Sequence, residues 1–223
     1  MHKKFGMLRT ASTPDESWGE DMAKLNVCSS GPRDRIVGTA RNLFHKLGIR
    51  GVGVDKIAEE AGTNKMTLYR HFDSKDGLII ECLRSFASEI RKSFAEIEAA
   101  HPGDAAAQLQ AWIAMATRDL ATDCRGCPMT NAAVELADPS HPAHQVIEEF
   151  KVEHRAWLRK ICADAGVSNP DMLANTLITL LEGARIARQS EGAQKQTVDF
   201  AAMASAVVSS FGNRSNSDPA SVD

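Results

Sequence analysis

Apolar residues recur every three or four positions along nearly the whole chain, the spacing of amphipathic helices. Ile36, Ala40, Leu43, Phe44 and Leu47 mark a first helix, and Gly48 stands where a left-handed C-terminal cap is wanted. Val54, Ile57, Ala58 and Ala61 predict a short second helix ended by Gly62, and Lys65–Phe72 reads as a third. Asp73 is placed to cap a long fourth helix with Asp76 as its box partner, and the stripe Ile79, Leu83, Phe86, Ile90, Phe94, Ile97 runs along it.

The "HPGD" at residues 101–104 breaks the pattern, which resumes with Leu109, Trp112, Ile113, Ala116 and Leu120. After the loop "TDCRGCP" a short helix is expected over residues 129–136, and "ADPSHP" is the next break. Ile147, Phe150, His154, Leu158 and Ile161 define a long helix ending at Gly166. Another starts at Pro170 and carries Leu173, Leu177, Leu180, Leu181 and Ala184. Phe200, Ala204, Val207, Val208 and Phe211 define the last. No alternation of the strand kind and no internal repeat interrupts this, so the fold class expected is all-α.

Residues 1–31 and 213–223 lack apolar period and read as a disordered arm and tail, with Met22 an alternative start. Residues 32–78 then form one helical unit and residues 79–212 a larger one. Composition adds little: 43% hydrophobic and 25% charged residues are ordinary for a globular protein, while 5% aromatics favour helices over a β-sandwich. A net charge of -3 gives no global attraction to nucleic acid, so such a contact needs a local patch. No apolar run approaches the roughly 18 residues of a membrane span. The N-terminus lacks the apolar stretch of a secretory signal, and a cytoplasmic protein is expected. Five scattered cysteines are an odd set, so reduced thiols are the default, and no cofactor or metal is expected.

Two short helices joined at a glycine, with the small Ala58 where they pass closely, make a helix-turn-helix. Its second helix would enter the DNA major groove. That accounts for an otherwise odd polar segment, "TNKMTLYRHF", residues 63–72. Lys65 can donate to guanine, Thr67 to a base or phosphate, and Met66 can touch a thymine methyl. Tyr69, His71 and Lys75 suit phosphates, and Thr63, Asn64 and Arg70 complete the candidate DNA-binding set. Arg33, Arg35, Arg41, Lys46, Arg50 and Lys56 make the surrounding region locally basic.

Residues 33–83 closely resemble the N-terminal DNA-binding domain of the TetR family of transcriptional regulators. The resemblance is carried by "GVGVDKIAEEAG", "TLYRHF" and "SKDGL". It implies a homodimer that reads a palindromic operator in double-stranded DNA, with Lys65, Met66 and Thr67 near bases and Tyr69, His71 and Lys75 on phosphates. It also implies a C-terminal half that holds the dimer interface and a small-molecule pocket. The last two long helices would pair with their copies in a four-helix bundle, for which Leu173, Leu177, Leu180, Ala184, Ala201, Ala204, Val207 and Val208 are the candidate contacts.

The candidate pocket lining is Trp112, Met115, Asn131, Glu135, His154, Trp157, Leu181, Glu182 and Arg185, a mostly apolar set suited to an aromatic or amphipathic effector. Glu182 and Arg185 can equally pair with each other. Cys124 and Cys127 offer three readings: a packing residue with an incidental neighbour, a redox pair that would make the regulator a redox sensor, or half a zinc site without its other half. An enzyme, a helical thiol oxidoreductase, is the rival from another class, and the βαβ setting for such a motif is missing. Asp138, His141 and His144 could hold a metal, or a loop with a serine N-cap explains them.

Overall fold

A computed structural model of the chain describes residues 31–191 and 199–212. The expected arm (Gly31 apart), the tail and Cys28 lie outside the described residues. Every regular element among those described is a helix: α1 (Pro32–Leu47), α2 (Val54–Glu60), α3 (Lys65–Phe72), α4 (Lys75–Ala100), α5 (Ala105–Thr122), α6 (Pro128–Glu135), α7 (Ala143–Asp164), α8 (Pro170–Glu191) and α9 (Phe200–Gly212).

Three hydrophobic clusters hold them together. Ile36, Ala40, Leu43, Val52, Ile57, Leu68, Phe72, Leu78 and Cys82 form the core of the N-terminal head. Ile49, Ile79, Leu83, Ala87, Met129, Ala143, Ile147 and Phe150 form a second core under α6 and the start of α7. Phe94, Ile97, Trp112, Leu158, Ile161, Leu173, Leu177, Phe200 and Ala204 form the third. α4 contributes to all three, because residues three and four apart on a helix share a face while its 26 residues span roughly 39 Å.

The helix ends show where local chemistry decides. α2 closes in a paired cap: the Thr63 N–H donates to the Ala58 carbonyl (2.9 Å) and the Gly62 N–H to that of Glu59 (3.0 Å). This motif needs a left-handed residue, and Gly62 supplies it at φ 63°. Gly48 also has positive φ, but at ψ 157° it is outside the left-handed helical basin that was expected. That backbone region is itself open essentially only to glycine, and a Cβ would in addition sit 2.9 Å from the end of the Glu135 side chain.

Other expectations need correction. α4 is capped by Ser74, whose Oγ accepts the Gly77 N–H at 2.9 Å. Asp73 is instead the last residue of the turn out of α3, at φ 59°. Leu47 is half exposed, and Ile49 and Val52 beyond the helix fill the core in its place. At α7 the cap is not Ser140: the Ala143 N–H donates to Nδ1 of His141 (3.1 Å). Leu173, Leu177, Ala184 and Ala204 are buried within the one chain, so they cannot be the dimer contacts expected of them.

His154 sits among aromatic rings on α7. Its Nε2 accepts the Trp112 indole N–H at 3.2 Å, its ring is 5.1 Å from that of Phe94, and Phe94 stacks on Trp157 at 4.0 Å. Burial above all, then the charges of Arg185 and Lys151, push its pKa down to about 4, with Glu182 opposing.

Two outcomes follow from this packing. Gly62→Ala should lower unfolding stability by roughly 1–2 kcal/mol, the cost of a left-handed alanine, although the added methyl meets open space. Denaturant titration measures it. Between pH 6.5 and about 4 an unfolded His154 is protonated while the folded one is not, so the unfolded state binds more protons and stability falls as pH drops through that window. His154→Gln should show a shallower fall, by on the order of 2 kcal/mol, when urea midpoints at the two ends are compared.

Candidate nucleic-acid interface and ligand pocket

α3 is held by its apolar edge and offers the other. Leu68 and Phe72 are buried in the head core, and the Asn64 side chain caps the helix by accepting the Thr67 N–H at 2.9 Å. Lys65, Met66, Tyr69, Arg70 and His71 are exposed, with Thr63 and Thr67 half-buried. Met66 is 83% exposed, a large apolar side chain in water that no contact within the chain explains. Lys65 leans toward α2, its Nζ 3.0 Å from Asp55 Oδ2. That partner raises the Lys65 pKa, so its charge is fixed.

The basic residues counted in the sequence divide once the fold is known. Arg33 pairs with Glu81 at 2.8 Å, and Arg41 binds Glu89 with both ends of its guanidinium, so α4 neutralises them. Lys75 points back into the head: its Nζ donates to the Ile49 carbonyl at 2.7 Å and lies 6.0 Å from the centre of the Phe44 ring. In this arrangement its side chain anchors the turn after α1 and is not presented beside α3. Lys46, Arg50, Lys56, Lys65 and Arg70 remain exposed.

The nine candidate pocket residues separate into groups. Trp112, Met115, His154, Leu181, Glu182 and Arg185 do meet, with Phe86, Ile90, Phe94 and Phe150, but the space between them is only about 20 Å³, scarcely a water. Glu182 is tied down there: Thr130 Oγ1 donates to it at 2.9 Å, and Lys151 and Arg185 each donate at 3.0 Å. Burial alone would raise its pKa, and these two cations overcome that and hold it low. Trp157 stacks on Phe94 and donates to Glu98 at 3.0 Å, which places it beside that space and not on its wall. Asn131 and Glu135 lie elsewhere, on the wall of a cavity of about 410 Å³ between α1, α4 and α6. A further cavity of about 350 Å³, lined by Met115, Asp119 and Arg185, shares Phe86, Glu89, Asp123 and Pro128 with it.

Sequence reasoning missed the α1 side of that larger cavity. Arg41, Asn42 and His45 follow one helical face that reads as solvated until α6 is laid across it. The bond that seals one end, His45 Nε2 to Asp123 Oδ2 at 2.8 Å, joins residues far apart in sequence, so no local signal announced it.

Cys124 is exposed and Cys127 buried at the start of α6, both as free thiols. Burial raises Cys82 to about 12 and Cys162 to about 11, so neither supplies thiolate. Asp138 accepts from the Ser140 N–H and Oγ, His141 caps α7, and His144 meets the Leu136 carbonyl at 2.8 Å. Among the described residues no group of three or more His, Cys, Asp or Glu is arranged to hold a metal, and no helix is long and apolar enough to cross a membrane.

Known proteins agree with this geometry. Residues 36–82 match the profile described as bacterial regulatory proteins, tetR family. The transcriptional repressor KstR2 of Rhodococcus jostii is 39% identical over 70 residues, 31% of this chain and 34% of that one, a match that speaks for one end only. The transcriptional regulator LmrA of Bacillus subtilis is 27% identical over 154 residues, covering 66% of this chain and 81% of that one. SCO4454, a TetR-family regulator from Streptomyces coelicolor, superposes with a TM-score of 0.74 at 28% identity, over 81% of this chain and 95% of that one. With a helix-turn-helix head that matches the TetR-family profile and a helical body behind it, the chain is similar along most of its length to transcriptional regulators of the TetR family.

Proposed function

We propose that this regulator is a cytoplasmic repressor that binds a palindromic operator as a homodimer and is released by a small molecule. The observation that carries the reading is the free edge of α3. A helix pinned by Leu68 and Phe72 holds Lys65, Met66, Tyr69, Arg70 and His71 in water. Such a rod fits the major groove, with its N-terminal residues Lys65, Met66 and Thr67 at base edges and Tyr69 and His71 toward phosphate. Thr63, Asn64 and Arg70 flank these. Lys75 contributes through its place at the N-terminus of α4, where backbone N–H groups favour an anion, more than through its engaged ammonium. Two relatives are named repressors, which favours that sign of regulation.

The homodimer reading rests on a second face. Met172, Thr179, Gly183 and Ile186 on α8 are exposed along one helical side, and Ala202, Met203 and Ala206 are exposed on α9, which packs beside it. None of these carries a charge, and small residues let helices of two copies approach closely. A symmetric pair would set the two α3 helices about one DNA turn apart, roughly 34–36 Å, or a multiple. Emptying an occupied operator from about 99% to 1% requires an effector that prefers the released conformer by roughly 5.5 kcal/mol.

Selection of bound duplexes from random sequence should return a palindrome; recovery of no preferred sequence would reject the reading. Tyr69→Phe should weaken binding to every duplex alike and leave the slope of log affinity against log salt unchanged, because the hydroxyl it removes is a neutral donor and neutralises no phosphate. Lys65→Ala should instead relax sequence preference at one position in each half-site, by about 1–3 kcal/mol. Gly183→Glu should yield monomers in light scattering and reduce operator affinity at least tenfold.

A further inference from the structure

The cavity between the head and the body takes in only Asn131 and Glu135 of the expected effector pocket, yet it has the room, about 410 Å³, of a small-molecule site, and it lies where two units meet. Phe44 and Phe86 give it an aromatic wall. Three carboxylates line it, Glu89, Asp123 and Glu135, against one guanidinium, that of Arg41. Arg41 is already bound to Glu89, and His45 to Asp123. Glu135 is different: it accepts the Arg50 backbone N–H at 3.1 Å, and no cationic side chain among the described residues lies within ion-pair distance of it. His45 adds a second unmet valence, since its Nδ1 is buried without a hydrogen-bond partner.

We propose that this cavity binds an amphipathic organic cation, its ammonium on the Glu135 carboxylate and its apolar body against Phe44 and Phe86, and that this ligand is an effector of DNA binding. The inference rests on the regulator reading and gives it an effector class and a place. Charge complementarity selects the cation: Glu89 and Asp123 already have partners, an anion would be repelled by the Glu135 carboxylate, and a neutral molecule would leave that carboxylate without a counter-charge. The coupling is also local. Glu135 holds the turn after α1 by accepting the Arg50 N–H, and that turn leads into α2 and α3. An ammonium that draws the carboxylate into the cavity competes with that grip, so occupancy and the seating of the head are linked through one side chain.

The test is calorimetric titration of the full chain with benzyltrimethylammonium as probe and benzyl alcohol as its uncharged counterpart. One site per chain is expected, with the alcohol at least tenfold weaker. Glu135→Gln keeps an acceptor for the Arg50 N–H but removes the charge, and should weaken the cation at least tenfold. Gly38→Leu fills the cavity mouth from a position where an added Cβ meets nothing within 4 Å, and should abolish binding. Absence of binding to the wild type, equal binding of the alcohol, or full binding by both variants overturns the proposal. Operator affinity is measured on the same preparations with and without the probe. If the wild type prefers no duplex, the regulator reading itself fails; if it binds its operator and the probe leaves that affinity unchanged, the effector proposal alone fails.

Discussion

One helix belongs to three hydrophobic cores, and the rest of the architecture depends on it. Leu78 and Cys82 of α4 enter the core of the head, Ile79, Leu83 and Ala87 enter the middle core, and Phe94 and Ile97 enter the core of the body. The adjacent residues Leu78 and Ile79 serve different cores because neighbours on a helix point about 100° apart. A rigid rod shared in this way leaves little room for one core to shift without the others registering it. The head is therefore not a bead on a string.

Polar contacts then set how the head sits on that rod. Arg33 with Glu81 and Arg41 with Glu89 bind α1 to the side of α4. His45 with Asp123, Asp76 with His141 and the Arg50 N–H with Glu135 join the head and the first turn of α4 to the loops and helix of the body. The partly exposed arginine pairs contribute little each to stability. The number and position of all these contacts matter more for orientation, and two of them involve histidine. Arg41 with Glu89, His45 with Asp123, and Glu135 also line the cavity between α1, α4 and α6.

Much of the fold was legible in the sequence because it depends on local periodicity. The stripes from Ile36 to Phe211 placed the helices with small errors at their ends, and Gly62 marked a turn that geometry requires. The errors were also local in cause. Asp73 and Ser74 are both good capping residues side by side, and only the path of the chain out of α3 decides that Ser74 caps while Asp73 turns. At the candidate DNA face, the sequence listed cations but could not say which would be consumed within the protein, as Arg33, Arg41 and Lys75 are.

What the chain's own order of residues determined was helical class, the helix-turn-helix head and an α3 edge too polar to be core, all consequences of spacings of three and four. Tertiary structure alone decided which face of α8 and α9 is spent inside one subunit, leaving Met172, Gly183 and Ile186 outside and Leu173 and Leu177 within. It also decided that the expected pocket around Trp112 and His154 is nearly filled while space opens beside Glu135. The reason is the same in each case: a helical pattern fixes which residues share a face, but whether that face meets another helix, water or an empty volume depends on partners distant in the chain.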